Sequence, residues 1–137
     1  MVGSSGRGDL LPFHVPEIGE EEIAEISEAI RSGWLTTGPK VKEFERGVAA
    51  YVGANHAVAL NSATAALHLA LEAIRVGEGD EVIVPTMTFA ATAEVVHYRR
   101  AKPVLADCRR ETMNMDPADV ARKMTPRTRA IIPAYDE

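Results

Sequence analysis

Residues 56–77 read HAVALNSATAALHLALEAIRVG, and the character of the sequence changes within this stretch. The first six residues, 56–61, form a short apolar run that is typical of a strand. The remaining residues, 62–77, have the composition of a helix that ends at Gly77. A strand that leads directly into a helix is the repeating unit of an α/β fold. This stretch therefore predicts one βα unit with small and hydroxylic residues at its junction.

The alternation of strand and helix continues towards the end of the chain. Short apolar runs predict three further strands, at residues 81–85, 102–108 and 129–134. Helical patterns follow the first two of them, at residues 89–99 and from Asp116 onward, where Asp116 is the predicted N-cap, Pro117 the first helical residue and Asp119 near the capping-box position. Strands that are apolar throughout are typical of a parallel sheet covered on both faces.

Two helices are predicted ahead of this region. The first ends at Gly33, and the second begins at Pro39 and ends at Gly53. Residues 1–10 are rich in glycine and serine, which indicates a flexible leader. The predicted fold class is therefore α/β, with two helices followed by a four-stranded, mainly parallel sheet that has helices on both faces.

The composition limits the classes of function. The chain has 137 residues, of which 46% are hydrophobic and 26% charged, as in an ordinary globular domain. Its net charge is −5 and its basic residues are interleaved with acidic ones, which argues against a nucleic-acid surface. The single cysteine, Cys108, excludes an internal disulfide framework, and no apolar run reaches the roughly 18 residues of a membrane span. With one cysteine we expect a protein of the reducing cytoplasm. We expect no metal site, because the four histidines show no ligand spacing.

Three junctions carry candidate binding residues. Small residues at 61–64 precede a helix whose N-terminus presents free N–H groups and partial positive charge, so this junction fits a phosphate as well as an ordinary capped turn. Phe89, in the stretch PTMTFAAT, fits either stacking on a planar ligand or packing in the core. Trp34, in the loop GWLTTGPK, fits either a contact with a substrate or a hydrophobic plug that anchors the loop.

Five motifs occur in an order that resembles one protein family. They are LPFHVPEIGEEE, SGWLTTGPKVKEFE, NSATAALHLAL, GEGDEVIVPTMTFAATA and TPRTRAIIP. Together they resemble the DegT/DnrJ/EryC1/StrS family of pyridoxal-phosphate nucleotide-sugar aminotransferases, from about Leu11 to Pro133. Within the family the likeness is closest to the enzymes that aminate UDP-4-keto-arabinose. The resemblance implies that residues 11–137 form the N-terminal portion of the large domain of a fold-type I aminotransferase.

The resemblance also implies roles for particular residues. Ala63 and Thr64 match positions that hold the phosphate of pyridoxal 5′-phosphate, and Phe89 matches the aromatic residue that stacks on its ring, where the arabinose enzymes have Trp. A further set matches the stretch that lies against the nucleotide sugar: Gly33, Trp34, Leu35 and Thr36, with Phe13 beside it. The family also implies glutamate as the amino donor, a keto-sugar nucleotide as the acceptor, and a homodimer whose sites form between subunits.

Some residues that the family requires are not found in this sequence. The Asp that pairs with the pyridine nitrogen and the Lys that binds the cofactor covalently come later in the family's chains. None of the lysines of this chain lies in a similar motif, so no catalytic residue is assigned. The last predicted strand would also need more chain to cover it. We therefore expect the N-terminal part of a longer aminotransferase, inactive by itself.

Two alternatives remain open at this point. A sugar dehydratase of the same family has His in place of the Lys, and the sequence does not include that position. A noncatalytic remnant, which binds a partner subunit or a ligand without turnover, would also be consistent with a chain that lacks both residues.

Overall fold

The computed structural model describes residues 14–134, which fall into two compact units that divide between Ala59 and Leu60. The predicted leader at residues 1–10 and the candidate substrate residue Phe13 lie outside the described residues, so both remain predictions.

The first unit contains the two predicted helices, α1 (Glu20–Ser32) and α2 (Pro39–Val52). Both end as the sequence predicts, because Gly33 and Gly53 follow them with φ angles of 76° and 69°. This left-handed conformation is strained for residues that carry a Cβ and is the usual way for a helix to stop. Pro39 occupies the first position of α2, where its missing N–H is not needed.

The apolar faces of these two helices are exposed in the described residues. Ile23, Ile26 and Ile30 lie along α1, and Phe44 and Tyr51 lie along α2, and the side chains of all five are largely accessible. These residues recur at intervals of three, four or seven positions, which places them on one side of each helix and makes both helices amphipathic. Neither helix contains a buried residue.

The prediction of a strand at residues 56–61 is wrong. A strand exists only through hydrogen bonds to a neighbour, and the described residues provide no neighbour for this stretch. The backbone N–H of Ala59 donates instead to the carboxylate of Glu45 on α2, at 2.9 Å. Within residues 14–134 the sheet consequently has three strands rather than the predicted four.

The second unit alternates helices and strands along the chain. Its elements are α3 (Ala63–Ala73), β1 (Glu81–Pro85), α4 (Ala91–Tyr98), β2 (Lys102–Ala106), α5 (Pro117–Lys123) and β3 (Thr128–Ile131). The strands form a parallel sheet in the order β2-β1-β3, so that β1 is central. The fold class is therefore α/β, as predicted.

The core of the second unit is built around β1. Val82, Ile83 and Val84 are all 0% exposed, and successive residues of a strand face opposite sides of the sheet, so both faces of β1 are covered. The larger core cluster lies on the side of Val82 and Val84 and also includes Leu71, Val76, Val95, Val96 and Ala101. Helices α3 and α4 supply most of these partners and pack against each other.

Several element ends differ from the prediction for identifiable reasons. Helix α3 ends at Ala73 rather than Gly77, because Arg75 adopts a left-handed φ of 60°. Strand β2 ends at Ala106 rather than Cys108, because the N–H of the next residue, Asp107, donates to the Asp119 carboxylate at 2.7 Å. Cys108 forms only an isolated antiparallel bridge with Met115.

Candidate functional site

Helix α3 begins at the small-residue junction. The Ser62 hydroxyl accepts the N–H of Ala65 at 3.1 Å, and the Ser62 carbonyl accepts the N–H of Ala66 at 3.1 Å. The ordinary capped turn is therefore present. The cap leaves the N–H groups of Ala63 and Thr64 without an acceptor among residues 14–134, as is usual for the first residues of a helix.

These two N–H groups have the properties of an anion site. They lie at the positive end of the α3 dipole, where an anion is favoured. Ala63 is exposed, Thr64 is half-buried, and the Thr64 hydroxyl can add a third donor. The helix cap is compatible with phosphate binding, because Ser62 accepts the N–H of Ala65 and leaves the N–H groups of Ala63 and Thr64 available.

Phe89 lies in the loop between β1 and α4. It is 79% exposed, so within the described residues it is not the core residue that the sequence left as an alternative. Its carbonyl accepts the N–H of Thr92 at 3.0 Å, and the hydroxyls of Thr88 and Thr92 are 2.8 Å apart. These bonds hold the loop at the start of α4 and leave the aromatic ring available to a ligand.

The start of this loop is held to the sheet. The N–H of Thr86 donates to the carbonyl of Ala106 at 2.9 Å, which prolongs the β1–β2 pairing by one bond. In a parallel α/β sheet, ligands bind where the strands end, and Thr86 follows the carboxyl end of β1. Ala63, Thr64 and Phe89, the three predicted cofactor residues, all belong to the second unit.

The four described candidates for substrate contact form one loop in the first unit. Trp34 is 60% exposed, and Gly33, Leu35 and Thr36 are exposed as well. Trp34 packs against Gly38, where an added Cβ would come within 3.0 Å of the Trp34 Cβ. The loop therefore keeps the indole in place while much of its surface stays accessible.

A cavity of about 770 Å³ lies beside this loop, and we refer to it as the α2 cavity. Its lining includes Trp34, Lys42, Glu45, Arg46, Asn55 and His56, all of which belong to the first unit. This cavity could not be predicted from the sequence, because it depends on the packing of α2 beside residues 55–57.

Two buried carboxylates hold parts of the second unit together, and the sequence did not indicate this role for either of them. Glu81 is 3% exposed, and hydrogen bonds from the Thr125 hydroxyl and the Arg127 guanidinium lower its pKa to about 2. Asp119 is 5% exposed, and the Asp107 N–H and the Lys123 ammonium lower its pKa to about 2. The capping role suggested for Asp119 is therefore wrong.

Residues 14–134 contain neither a candidate metal site nor a candidate membrane span. No group of three or more His, Cys, Asp or Glu side chains in this part of the chain is arranged to hold a metal ion. Likewise, none of its helices is both long enough and apolar enough to cross a membrane.

The known proteins that resemble this chain indicate one family. The model of the DegT/DnrJ/EryC1/StrS aminotransferase family matches residues 16–135. The spore coat polysaccharide biosynthesis protein SpsC of Bacillus subtilis is 50% identical over 129 residues, which are 94% of this chain and 33% of that protein.

Solved structures agree with this relationship. A protein of Streptococcus pneumoniae described as a sugar aminotransferase, Spr1654, superposes in its PMP form with a TM-score of 0.86 at 47% identity, over 90% of this chain and 31% of the other. An aminotransferase from Psychrobacter cryohalolentis gives a TM-score of 0.82 at 33% identity, over 89% of this chain and 32% of the other. The chain thus spans about a third of the length of these relatives.

Proposed function

The chain belongs to the DegT/DnrJ/EryC1/StrS aminotransferase family, and on this basis we propose that it functions as part of a nucleotide-sugar aminotransferase. The reaction is the transfer of an amino group from glutamate to a keto-sugar nucleotide. Pyridoxal 5′-phosphate is the cofactor that the family indicates, and Spr1654 has been solved in both PLP and PMP forms. The chain covers about a third of the length of its relatives. The proposed activity therefore also requires the Asp and the Lys that the family uses and that this sequence does not contain.

The observation that carries the proposal is that the N–H groups of Ala63 and Thr64, at the start of α3, have no acceptor among residues 14–134. In the proposed site the N–H groups of Ala63 and Thr64 and the Thr64 hydroxyl donate to the cofactor phosphate. The accessible ring of Phe89 stacks on the pyridine ring and fixes its plane. When bound, the cofactor supplies the electron sink for amino transfer.

The chain's own contribution is therefore to bind and orient. The donors at the start of α3 would hold the phosphate of the cofactor and Phe89 would hold its ring, so that the bound cofactor would be restricted in orientation. Gly33, Trp34, Leu35 and Thr36 contact the nucleotide sugar, and Phe13 is proposed to lie beside them. A homodimer, a cytoplasmic location and the placement of residues 11–137 in the enzyme's large domain are also part of the proposal.

The identity of the sugar is the finest part of the proposal. The likeness to the enzymes that aminate UDP-4-keto-arabinose is a prediction from the motifs, and Phe89 stands where those enzymes have Trp. A panel of UDP- and dTDP-linked 3-keto and 4-keto sugars, each incubated with glutamate and the protein as its source produces it, tests it. Formation of the amino sugar nucleotide and 2-oxoglutarate, measured by mass spectrometry, identifies the acceptor.

The cofactor residues can be tested without turnover. We would titrate the protein with pyridoxal 5′-phosphate and with pyridoxal, which lacks the phosphate, and follow the visible absorbance of the bound cofactor. Thr64→Val should reduce the preference for the phosphorylated form, because it removes the hydroxyl, one of the three proposed donors, and keeps the two backbone N–H groups. Phe89→Leu should weaken the binding of both forms. Phe44→Leu is the matched control, because Phe44 is another exposed phenylalanine outside the proposed site.

The outcomes separate the functional alternatives. Binding of pyridoxal 5′-phosphate that ignores Thr64→Val and Phe89→Leu would contradict the site. Cofactor binding with the expected variant effects, but without transfer to any keto sugar, would favour the noncatalytic module. Loss of a hydroxyl from the sugar ring without amination would favour the dehydratase.

A further inference from the structure

The α2 cavity contains two cations that no acidic group neutralises in the described part of the chain. Lys42 makes no ion pair with any residue between 14 and 134, and neither does Arg46. The Nε of Arg46 donates to the Lys42 carbonyl at 3.3 Å, which orients the guanidinium and leaves its two terminal nitrogens free for a ligand. Lys40, on the same helix, differs from these two residues because it forms ion pairs with Glu25 and Glu28, at 2.5 and 2.7 Å.

The spacing of these cations suits a pair of linked phosphates. Lys42 and Arg46 are four residues apart on α2, so they lie side by side on one face of the helix. Glu45 adds a negative charge to the lining, but its carboxylate accepts the N–H of Ala59 and is directed to the backbone. Lys42 and Arg46 outnumber Glu45 in the lining, which is therefore net positive, whereas the whole chain carries −5.

One end of the cavity adds an aromatic surface. The exposed indole of Trp34 lines the same cavity and offers a flat apolar face, while Asn55 and His56 offer further hydrogen-bonding groups. An aromatic face beside two free cations is the chemistry that recognises a ring joined to phosphates. We propose that Lys42 and Arg46 bind the diphosphate of a nucleoside-diphosphate ligand in the α2 cavity.

This inference rests on the proposed nucleotide-sugar substrate and extends it to residues that the sequence analysis did not assign. It differs from the cofactor cradle, which is formed by backbone N–H groups in the second unit. The two sites are therefore separable by mutation, since variants on α2 leave the Ser62–Thr64 turn unchanged.

The test uses Trp34 as the reporter, because it is the single tryptophan of the chain and lines the cavity. Its fluorescence would be followed during titration with UDP, inorganic pyrophosphate and uridine. The variants are Lys42→Met and Arg46→Met, which remove one charge and keep the aliphatic stem. Lys40→Met is the matched control, since Lys40 lies on the same helix but already has acidic partners. Circular dichroism checks that each variant is folded.

UDP and pyrophosphate should bind more tightly than uridine. Each of the two variants should lower the affinity for UDP by about tenfold, the loss expected for one charge-assisted hydrogen bond. The affinity of Lys40→Met should stay within about twofold of that of the wild type. The affinity for UDP should also fall as salt is raised. Uridine binding as tightly as UDP, unchanged affinity in both variants, or no fluorescence response of the wild type would each overturn the proposal.

The result is independent of the test of the cofactor site. If pyridoxal 5′-phosphate binds and responds to Thr64→Val, but pyrophosphate does not respond to the α2 variants, only the diphosphate site fails. If the diphosphate site behaves as expected and the cofactor does not bind, the aminotransferase proposal fails and the α2 cavity remains a nucleotide site.

Discussion

The carboxylate of Asp119 accepts the backbone N–H of Asp107 at 2.7 Å, and this bond ties α5 to the residue that directly follows β2. Lys123 reinforces the connection, because its ammonium donates at 2.7 Å both to Asp119 and to the carbonyl of Leu105. Ala106, the last residue of β2, in turn accepts the N–H of Thr86 at the start of the Phe89 loop. A buried carboxylate thus supports the edge of the sheet next to a proposed cofactor contact.

Replacing Asp119 by Asn should destabilise the protein. The amide keeps the size of the side chain but removes its charge and one acceptor oxygen. In one orientation its NH₂ group would face Arg122, and in the other it would face both the Asp107 N–H and the Lys123 ammonium. We expect a lower urea midpoint for Asp119→Asn than for the wild type, measured by circular dichroism at pH 7. Glu111→Gln, an exposed acid in the following turn, serves as the control and should leave the midpoint unchanged. Equal midpoints for Asp119→Asn and the wild type would show that the bond contributes nothing.

Stability should depend on pH through Glu81 as well as Asp119. Both carboxyl groups have a folded-state pKa of about 2, below their ordinary values of 4.5 and 3.8. A depressed pKa means that the folded state binds the proton less readily, so the stabilisation is present above the ordinary values and is lost as the pH falls towards 2. Urea midpoints of the wild type should therefore decline between about pH 4.5 and pH 2.

The contribution of Glu81 can be isolated with Glu81→Gln. This variant should start with a lower urea midpoint at pH 7, because a neutral amide cannot replace the carboxylate that faces Arg127 and Lys102. Its midpoint should then change less than that of the wild type between about pH 4.5 and pH 2, since one titrating group is gone. Parallel curves for the two proteins over this range would rule out a role for Glu81 in the acid sensitivity.

Local signals explain which parts of the fold the sequence could predict. The glycines at 33 and 53, the proline at 39 and the Asp116-Pro117 start of α5 act through their own backbone, and all appear where predicted. Strand β1 also has its predicted bounds, because its continuous apolar run is buried on both faces. These features need no knowledge of distant residues.

The features that the sequence could not predict depend on distant residues. Residues 56–61 have the composition of a strand, but a strand also needs a partner. The end of β2 is decided by Asp119, twelve residues beyond Asp107, which competes for a backbone N–H. At the candidate site, the junction at Ser62 could be located by its small residues, whereas the α2 cavity could not, because its lining joins α2 to residues 55–57.

The packing of Trp34 on Gly38 should not tolerate a side chain at position 38. Gly38 has a φ of −149°, which any residue can adopt, so the only obstacle to Gly38→Ala is the 3.0 Å approach of the new Cβ to the Trp34 Cβ. We expect a shift in the fluorescence maximum of Trp34 and a loss of about 1 kcal/mol in unfolding free energy from overpacking.

Gly47→Ala provides the control for the Gly38 variant on the same helix. Gly47 lies inside α2, and nothing is within 4 Å of an added Cβ. Alanine is the better helix former, so this change should stabilise the protein by about 0.5–1 kcal/mol and leave the Trp34 spectrum unchanged. If both alanines stabilise the protein equally, the contact between Trp34 and Gly38 does not restrict position 38.

Ser62 allows the helix cap and the phosphate cradle to be separated. Ser62→Ala removes the acceptor for the N–H of Ala65 and should lower the unfolding free energy by about 1 kcal/mol. Ser62→Asp keeps an acceptor of equal capping strength, so the stability should stay close to that of the wild type. The added carboxylate, however, would lie beside the N–H groups of Ala63 and Thr64 and repel a phosphate.

We therefore expect Ser62→Asp to weaken the binding of pyridoxal 5′-phosphate at least about tenfold, because two like charges about 5 Å apart near a protein surface repel each other by more than about 1.4 kcal/mol. Pyridoxal, which carries no phosphate, should bind Ser62→Asp and the wild type alike, and Ser62→Ala should bind both forms more weakly only to the extent that the first turn of α3 frays. Titrations at low and high salt distinguish the charge effect from fraying, since only the charge effect is screened. Undiminished binding of pyridoxal 5′-phosphate to Ser62→Asp would mean that the phosphate lies elsewhere, and the two free N–H groups of α3 would then lose their proposed role.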